Sequence, residues 1–137
     1  MIEQDYLLRL IAQFIQAMLR AMQMAGRRAD ELREAEDEAD GMARREDAEP
    51  DPLGAAELLE TAFGNCIEMD ESVLLVLAPE SFAGVLQVSG VDPQLVPHLV
   101  RCLQLEGEFL DEAGLPARAD LRRKQADALA LVYGLEM

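Results

Sequence analysis

Tryptophan is absent from this chain of 137 residues, and the aromatic complement is two Tyr and four Phe. Strands draw heavily on aromatic and β-branched residues. Here Leu, Ala, Arg and Glu dominate instead, all strong helix formers, and the composition predicts an all-α fold. Basic residues are also scarce, with 12 Lys and Arg against 27 Asp and Glu and a formal charge of −15. Nucleic-acid affinity rests on cations that neutralise phosphates, so a nucleic-acid partner is not expected, nor is an anionic membrane surface. Plain solubility explains such acidity without any partner. No apolar run approaches the roughly 18 residues of a membrane span. The opening lacks the positive region of a secretory signal, since Glu3 and Asp5 stand there, and a cytoplasmic location is expected.

Histidine is reduced to His98 and cysteine to Cys66 and Cys102. They show no recognisable ligand spacing, so no metal is expected. Each Cys lies in an apolar helical pattern and reads as a small buried hydrophobe. A disulfide between them is compatible with the sequence but runs against a reducing compartment. Gly-rich phosphate loops, nucleophile elbows and zinc-protease helices are missing. No catalytic residue and no cofactor is therefore assigned, and the chain is not read as an enzyme. His98, beside Pro97 at a helix start, reads as a surface or capping residue.

What the chain has is one unusually apolar opening helix, Met1 to Met22. Arg9, Gln13, Gln16, Arg20, Gln23 and Arg27 form one narrow polar stripe, while Leu7, Leu8, Leu10, Ile11, Phe14, Ile15, Met18, Leu19 and Met22 cover the rest. An ordinary surface helix buries an arc of about 100° or slightly more. This helix needs burial on both flanks, as the centre of the core or as a helix that also meets a partner. Tyr6, Leu10, Phe14, Met18, Leu19 and Met22 are the candidate interaction surface. Asp5 and Tyr6 also fit ordinary helix logic, with Glu3 and Asp5 complementing the N-terminal dipole. Met18, Met22 and Met24 either line an adaptable groove or fill core gaps.

The remaining chain reads as a series of helices within one domain, residues 1–137. Residues 27–52 form an acidic helical extension or linker; between Asp30 and Asp51 stand eleven acids and three Arg. Glu36, Glu38, Asp40, Gly41 and Asp47 fall in a calcium-loop frame, but the last position is Asp rather than the bidentate Glu, and the flanks are charged, so calcium is not expected there. Pro50 and Pro52 mark a boundary. A second helix spans about Leu53 to Met69. Asp70 caps the segment Ser72 to Leu77, read as helix for want of a strand partner. Pro79 opens a helix that ends near Gly90, a residue suited to the left-handed closing position. Asp92-Pro93 signals another start, with Pro97 then disturbing the first turn. Gly114 ends that helix and Pro116 begins the last. Short loops predict that successive helices are antiparallel neighbours.

Leu103 to Leu131 resembles one tetratricopeptide-type hairpin. Gly107 matches the small residue of its first helix, and Ala119 and Ala126 the two small positions of its second. Leu110 and Arg123 stand where that pattern has large aromatics. The opening MIEQDYLLRLIAQF resembles the start of an uncharacterised bacterial family of small tetratricopeptide-like all-helical proteins. The likeness extends over Ala55 to Leu86 and the closing hairpin. It implies an all-α helical bundle and carries no reaction or ligand with it. Together these features suggest a protein–protein interaction or scaffold module, expected as a homodimer or as the acceptor of a partner's apolar helix. A regulatory protein holding a small molecule between its helices is the alternative.

Overall fold

The computed structural model describes residues 2–26 and 50–135, and over them the chain is an all-α bundle without strands. The acidic segment and the calcium-loop frame lie outside the described residues. Six helices follow in order: α1 (Ile2–Met24), α2 (Pro52–Ile67), α3 (Glu71–Leu74), α4 (Pro79–Val88), α5 (Val96–Glu112) and α6 (Pro116–Val132).

Their ends follow local chemistry. Gly26 adopts φ 78°, the left-handed geometry that closes a helix at low steric cost, so α1 stops at Met24. Asp51 accepts a hydrogen bond from the Gly54 N–H and caps α2, with Pro52 in the first turn where a missing N–H costs nothing. At the far end Glu68 takes the left-handed position, φ 58°. Asp70 caps the single turn of α3 through the Ser72 N–H. The segment after it is therefore one helical turn followed by a bend, neither strand nor a helix to Leu77. Asp92 accepts from the Gln94 N–H in a turn, and α5 begins only at Val96. Pro97 thus sits in the first turn, and the expected disturbance does not arise.

The packing order differs from the chain order. α1 lies on α2, α2 on α5, α5 on α6, and α4 on the other side of α6. α5 and α6 pack along each other and are joined by only three residues, 113–115, so they form an antiparallel hairpin; Arg122 pairs with Glu106 and Arg123 with Asp111 across it. The α1–α2 pair is antiparallel too: the Asp51 N–H donates to Met24 O at one end, and Tyr6 reaches Glu68 at the other. α4 departs from the expected neighbour rule. Gln125 donates to Leu77 O just before α4, and Tyr133 to Val91 O just after it, so α4 runs parallel to α6. α2, α5 and α6 are therefore each covered on two sides, and α1 and α4 are the edges of the bundle. Of the two readings offered for the opening helix, the centre of the core is ruled out by this edge position. Phe63, Phe82, Phe109, Leu59, Leu99 and Leu129 are fully buried in a hydrophobic cluster that draws on every helix.

Candidate functional site

Two places in the molecule hold more than ordinary packing. One is a polar knot inside the bundle. Glu106 and Gln125 are fully buried and Arg122 nearly so. The Arg122 guanidinium donates to Glu106 Oε2 (2.9 Å), Leu75 O (2.7 Å), Gln125 Oε1 (3.0 Å) and Glu60 Oε2 (3.1 Å). Gln125 Nε2 donates to Leu75 O and Leu77 O. Cys102 Sγ lies 3.8 Å from Leu59 O and 3.6 Å from Glu106 Oε1, at the long end of sulfur contacts. Burial pushes the Glu106 carboxyl up to about 8, against the pull of Arg122. A buried acid with a raised pKa commonly marks a reaction site. Here each partner is another part of the fold, and the carbonyls it binds belong to the bend between α3 and α4. The knot joins that bend to the hairpin.

The other place is α1. Its wide apolar arc resolves into two stripes. Leu7, Phe14, Met18, Ala21 and Ala25 are buried in the core. Leu8, Ala12, Ile15 and Leu19 lie roughly 100° around the helix, one to the next residue at 3.6 per turn, and stay in solvent. Leu8 is 54% exposed, Ile15 38% and Leu19 37%. Their spacing of four, three and four residues is a heptad seam. On the opposite flank, a groove of about 270 Å³ runs between α1 and α2, lined by Leu10, Gln13, Phe14, Leu58, Ala62 and Cys66 among others. That volume lies at the lower edge of the roughly 300–1,000 Å³ of small-molecule sites.

The sequence-predicted surface is thus divided. Leu19 belongs to the open seam. Tyr6 and Leu10 border the groove flank, and Tyr6 donates its hydroxyl to Glu68 Oε2 at 3.0 Å, which raises the phenol's pKa. Phe14 and Met18 are core residues, 2% and 7% exposed, because they belong to the stripe packed on α2. Met22 is half-buried between the two. Leu8, Ala12 and Ile15 were outside the expected surface, although their heptad spacing was present in the sequence. Glu106, Arg122 and Gln125 also escaped sequence reasoning. Their signal was a polar residue inside each apolar stripe, Glu106 between Leu103 and Leu110, and Arg122 and Gln125 between Ala119 and Leu129.

The remaining candidates are placed as follows. Gly107, Ala119 and Ala126 are buried, and Gly107 closely approaches Ala119 O and the Arg123 stem across the α5–α6 hairpin. His98 is half-buried in the first turn of α5. Cys66 and Cys102 are buried and unbonded, and burial raises the Cys66 thiol to about 11 and Cys102 well above its usual range. Among the described residues no His, Cys, Asp and Glu cluster has the makings of a metal site, and no helix is long and apolar enough to cross a membrane. Comparison with family models, curated proteins and solved structures finds no match for this chain.

Proposed function

We propose that this protein is a helical protein–protein interaction module whose docking surface is the open flank of α1. The observation that carries this reading is the solvent-facing heptad seam Leu8, Ala12, Ile15 and Leu19 on an edge helix of the bundle. A contiguous apolar stripe on a small soluble domain marks a surface that another molecule covers. An amphipathic helix is the fitting occupant, since it offers apolar anchors at the same three- and four-residue spacing. The rest of the fold serves as a rigid support. The knot around Arg122 holds the α3–α4 bend against the hairpin, and α2 and α5 carry α1.

The close crossing of α5 and α6 supports the tetratricopeptide-like character of the hairpin. A Cβ on Gly107 would meet Ala119 O at 3.3 Å and Arg123 Cγ at 3.1 Å. Arg123 occupies the place of the family's aromatic and covers the glycine with its aliphatic stem. The direct experiment is a titration with a synthetic amphipathic helix bearing Leu at heptad spacing, followed by backbone amide resonances. Shifts centred on Leu8 to Leu19 are expected. Shifts confined to the α3–α4 end, or none at all, would overturn the reading.

A further inference from the structure

We propose that the occupant of the α1 flank is α1 of a second copy of this chain. The two helices run antiparallel about a two-fold axis that passes between Gln13 and Phe14. Leu8 then packs against Leu19 of the second copy, and Ala12 against its Ile15. This inference rests on the docking role of the flank and adds the partner, its direction and its register.

Three observations set these. The first is the period. A helix packed only within its own bundle needs one stripe, and α1 already has that in Leu7, Phe14, Met18, Ala21 and Ala25. A second stripe at strict heptad spacing suits two helices that wind around each other.

The second is symmetry. Leu8 and Leu19 lie equally far from the point between residues 13 and 14, as do Ala12 and Ile15. An isologous interface requires that each contact be made twice, and a reversed pair satisfies this with Leu8 against Leu19 and Ala12 against Ile15. Reversal also sets the smallest seam residue against a large one, so the layers interdigitate. A parallel pair in register would place Ala12 against Ala12 and leave a gap.

The third is charge. The described chain leaves α1 at Gly26 and returns at Pro50, and the Asp51 N–H donates to Met24 O at 2.6 Å. Both ends of the acidic segment are therefore fixed at the C-terminal end of α1. That segment, residues 27–49, carries ten acids against five Arg. Parallel pairing would bring two such charges to one end of the dimer. Antiparallel pairing sets the two points where these segments join the bundle roughly 30 Å apart, the length of about 20 helical residues, well beyond the ~8 Å Debye length of physiological salt. On the polar edge, Arg9 then faces Gln16 of the second copy, and no like charges meet. Four seam positions per helix fall short of the ~1,600 Å² of a standard interface, so the association is weak and grows with concentration.

Cysteine cross-linking reads direction and register together. Leu8→Cys chains are mixed with size-tagged Leu19→Cys chains at high protein concentration and mildly oxidised. The buried native thiols give a low background. The expected product is a mixed covalent dimer, several-fold over either like-with-like dimer. Predominance of the Leu8→Cys or Leu19→Cys homodimers would overturn the antiparallel arrangement. If no covalent dimer forms while the synthetic amphipathic helix still shifts the α1 resonances, the second copy is the wrong occupant and the docking surface stands. If neither occurs, both readings fall.

Discussion

Glu106 shows how one residue couples burial to pH. Its carboxyl is fully buried, and burial raises it to about 8 even with Arg122 alongside. A carboxyl raised on folding holds its proton more tightly in the native state than in the unfolded chain. Its contribution to stability is therefore full below the ordinary carboxylate range and is lost as pH rises toward 8. Glu106→Gln keeps an acceptor for Arg122 Nε and removes the titration. The melting temperature of the variant, measured relative to the parent, should rise as pH is taken from 5 to 8. A difference independent of pH would mean that Glu106 titrates normally. Arg122 is the complementary case. Replacing it by Leu leaves Glu106 Oε2 without its guanidinium donor and Leu75 O with Gln125 alone, and breaking a buried pair from one side typically costs about 3–5 kcal/mol. Denaturant unfolding of Arg122→Leu and of Arg122→Leu with Glu106→Leu should show the double variant losing less than the sum of the singles.

At the scale of elements, two glycines do different work. Gly64 lies in the last turn of α2 against the chain that follows, where a Cβ would lie 2.8 Å from Met69 O and would also clash with the Glu71 carboxylate. Gly64→Ala should destabilise by about 1–3 kcal/mol from overpacking, although helix propensity alone would favour Ala by about 1 kcal/mol. A higher melting temperature for this variant would contradict the contact. At the α5–α6 crossing, Gly107→Leu and Ala126→Leu should both lower the melting temperature, because packed helix axes sit about 8–10 Å apart and the distance depends on the side chains between them. Melting at or above the parent temperature would show that the crossing is not so close. Several element ends were legible in the sequence because they depend on neighbours along the chain: Asp70 as a cap, Pro79 and Pro116 as starts, Gly90 and Gly114 as stops. The start of α5 was misplaced because Asp92-Pro93 forms a turn that mimics a cap, and only the three-dimensional path shows the helix waiting until Val96.

For the whole molecule, the order of packing was not legible. α6 is covered by α5 on one side and α4 on the other, so its buried residues wrap around it and blur the single stripe that periodicity detects. The polar atoms of Arg122 and Gln125 blur it further, since their burial is explained only by carbonyls some fifty residues away in sequence, as with Gln125 and Leu75 O. The opposite holds for α1. Its excess of apolar surface was visible in the sequence, and the structure divides that excess into a stripe spent on α2 and a seam left open. The candidate site was thus half legible: the helix and Leu19 were found, whereas Phe14 and Met18 were assigned outward for lack of a partner helix to orient them. If the seam is where this molecule associates, a charge placed in it must act on assembly and not on folding. Static light scattering across a concentration series tests this most directly, on the parent, on Ile15→Asp and on Val88→Asp, an equally polar change at a residue 89% exposed on α4. The account predicts that the parent and Val88→Asp rise from 15.1 kDa toward twice that mass with concentration, while Ile15→Asp stays monomeric and melts close to the parent at dilutions where both are monomers. A parent that holds the monomer mass throughout, or an Ile15→Asp chain that associates like the parent, would contradict it.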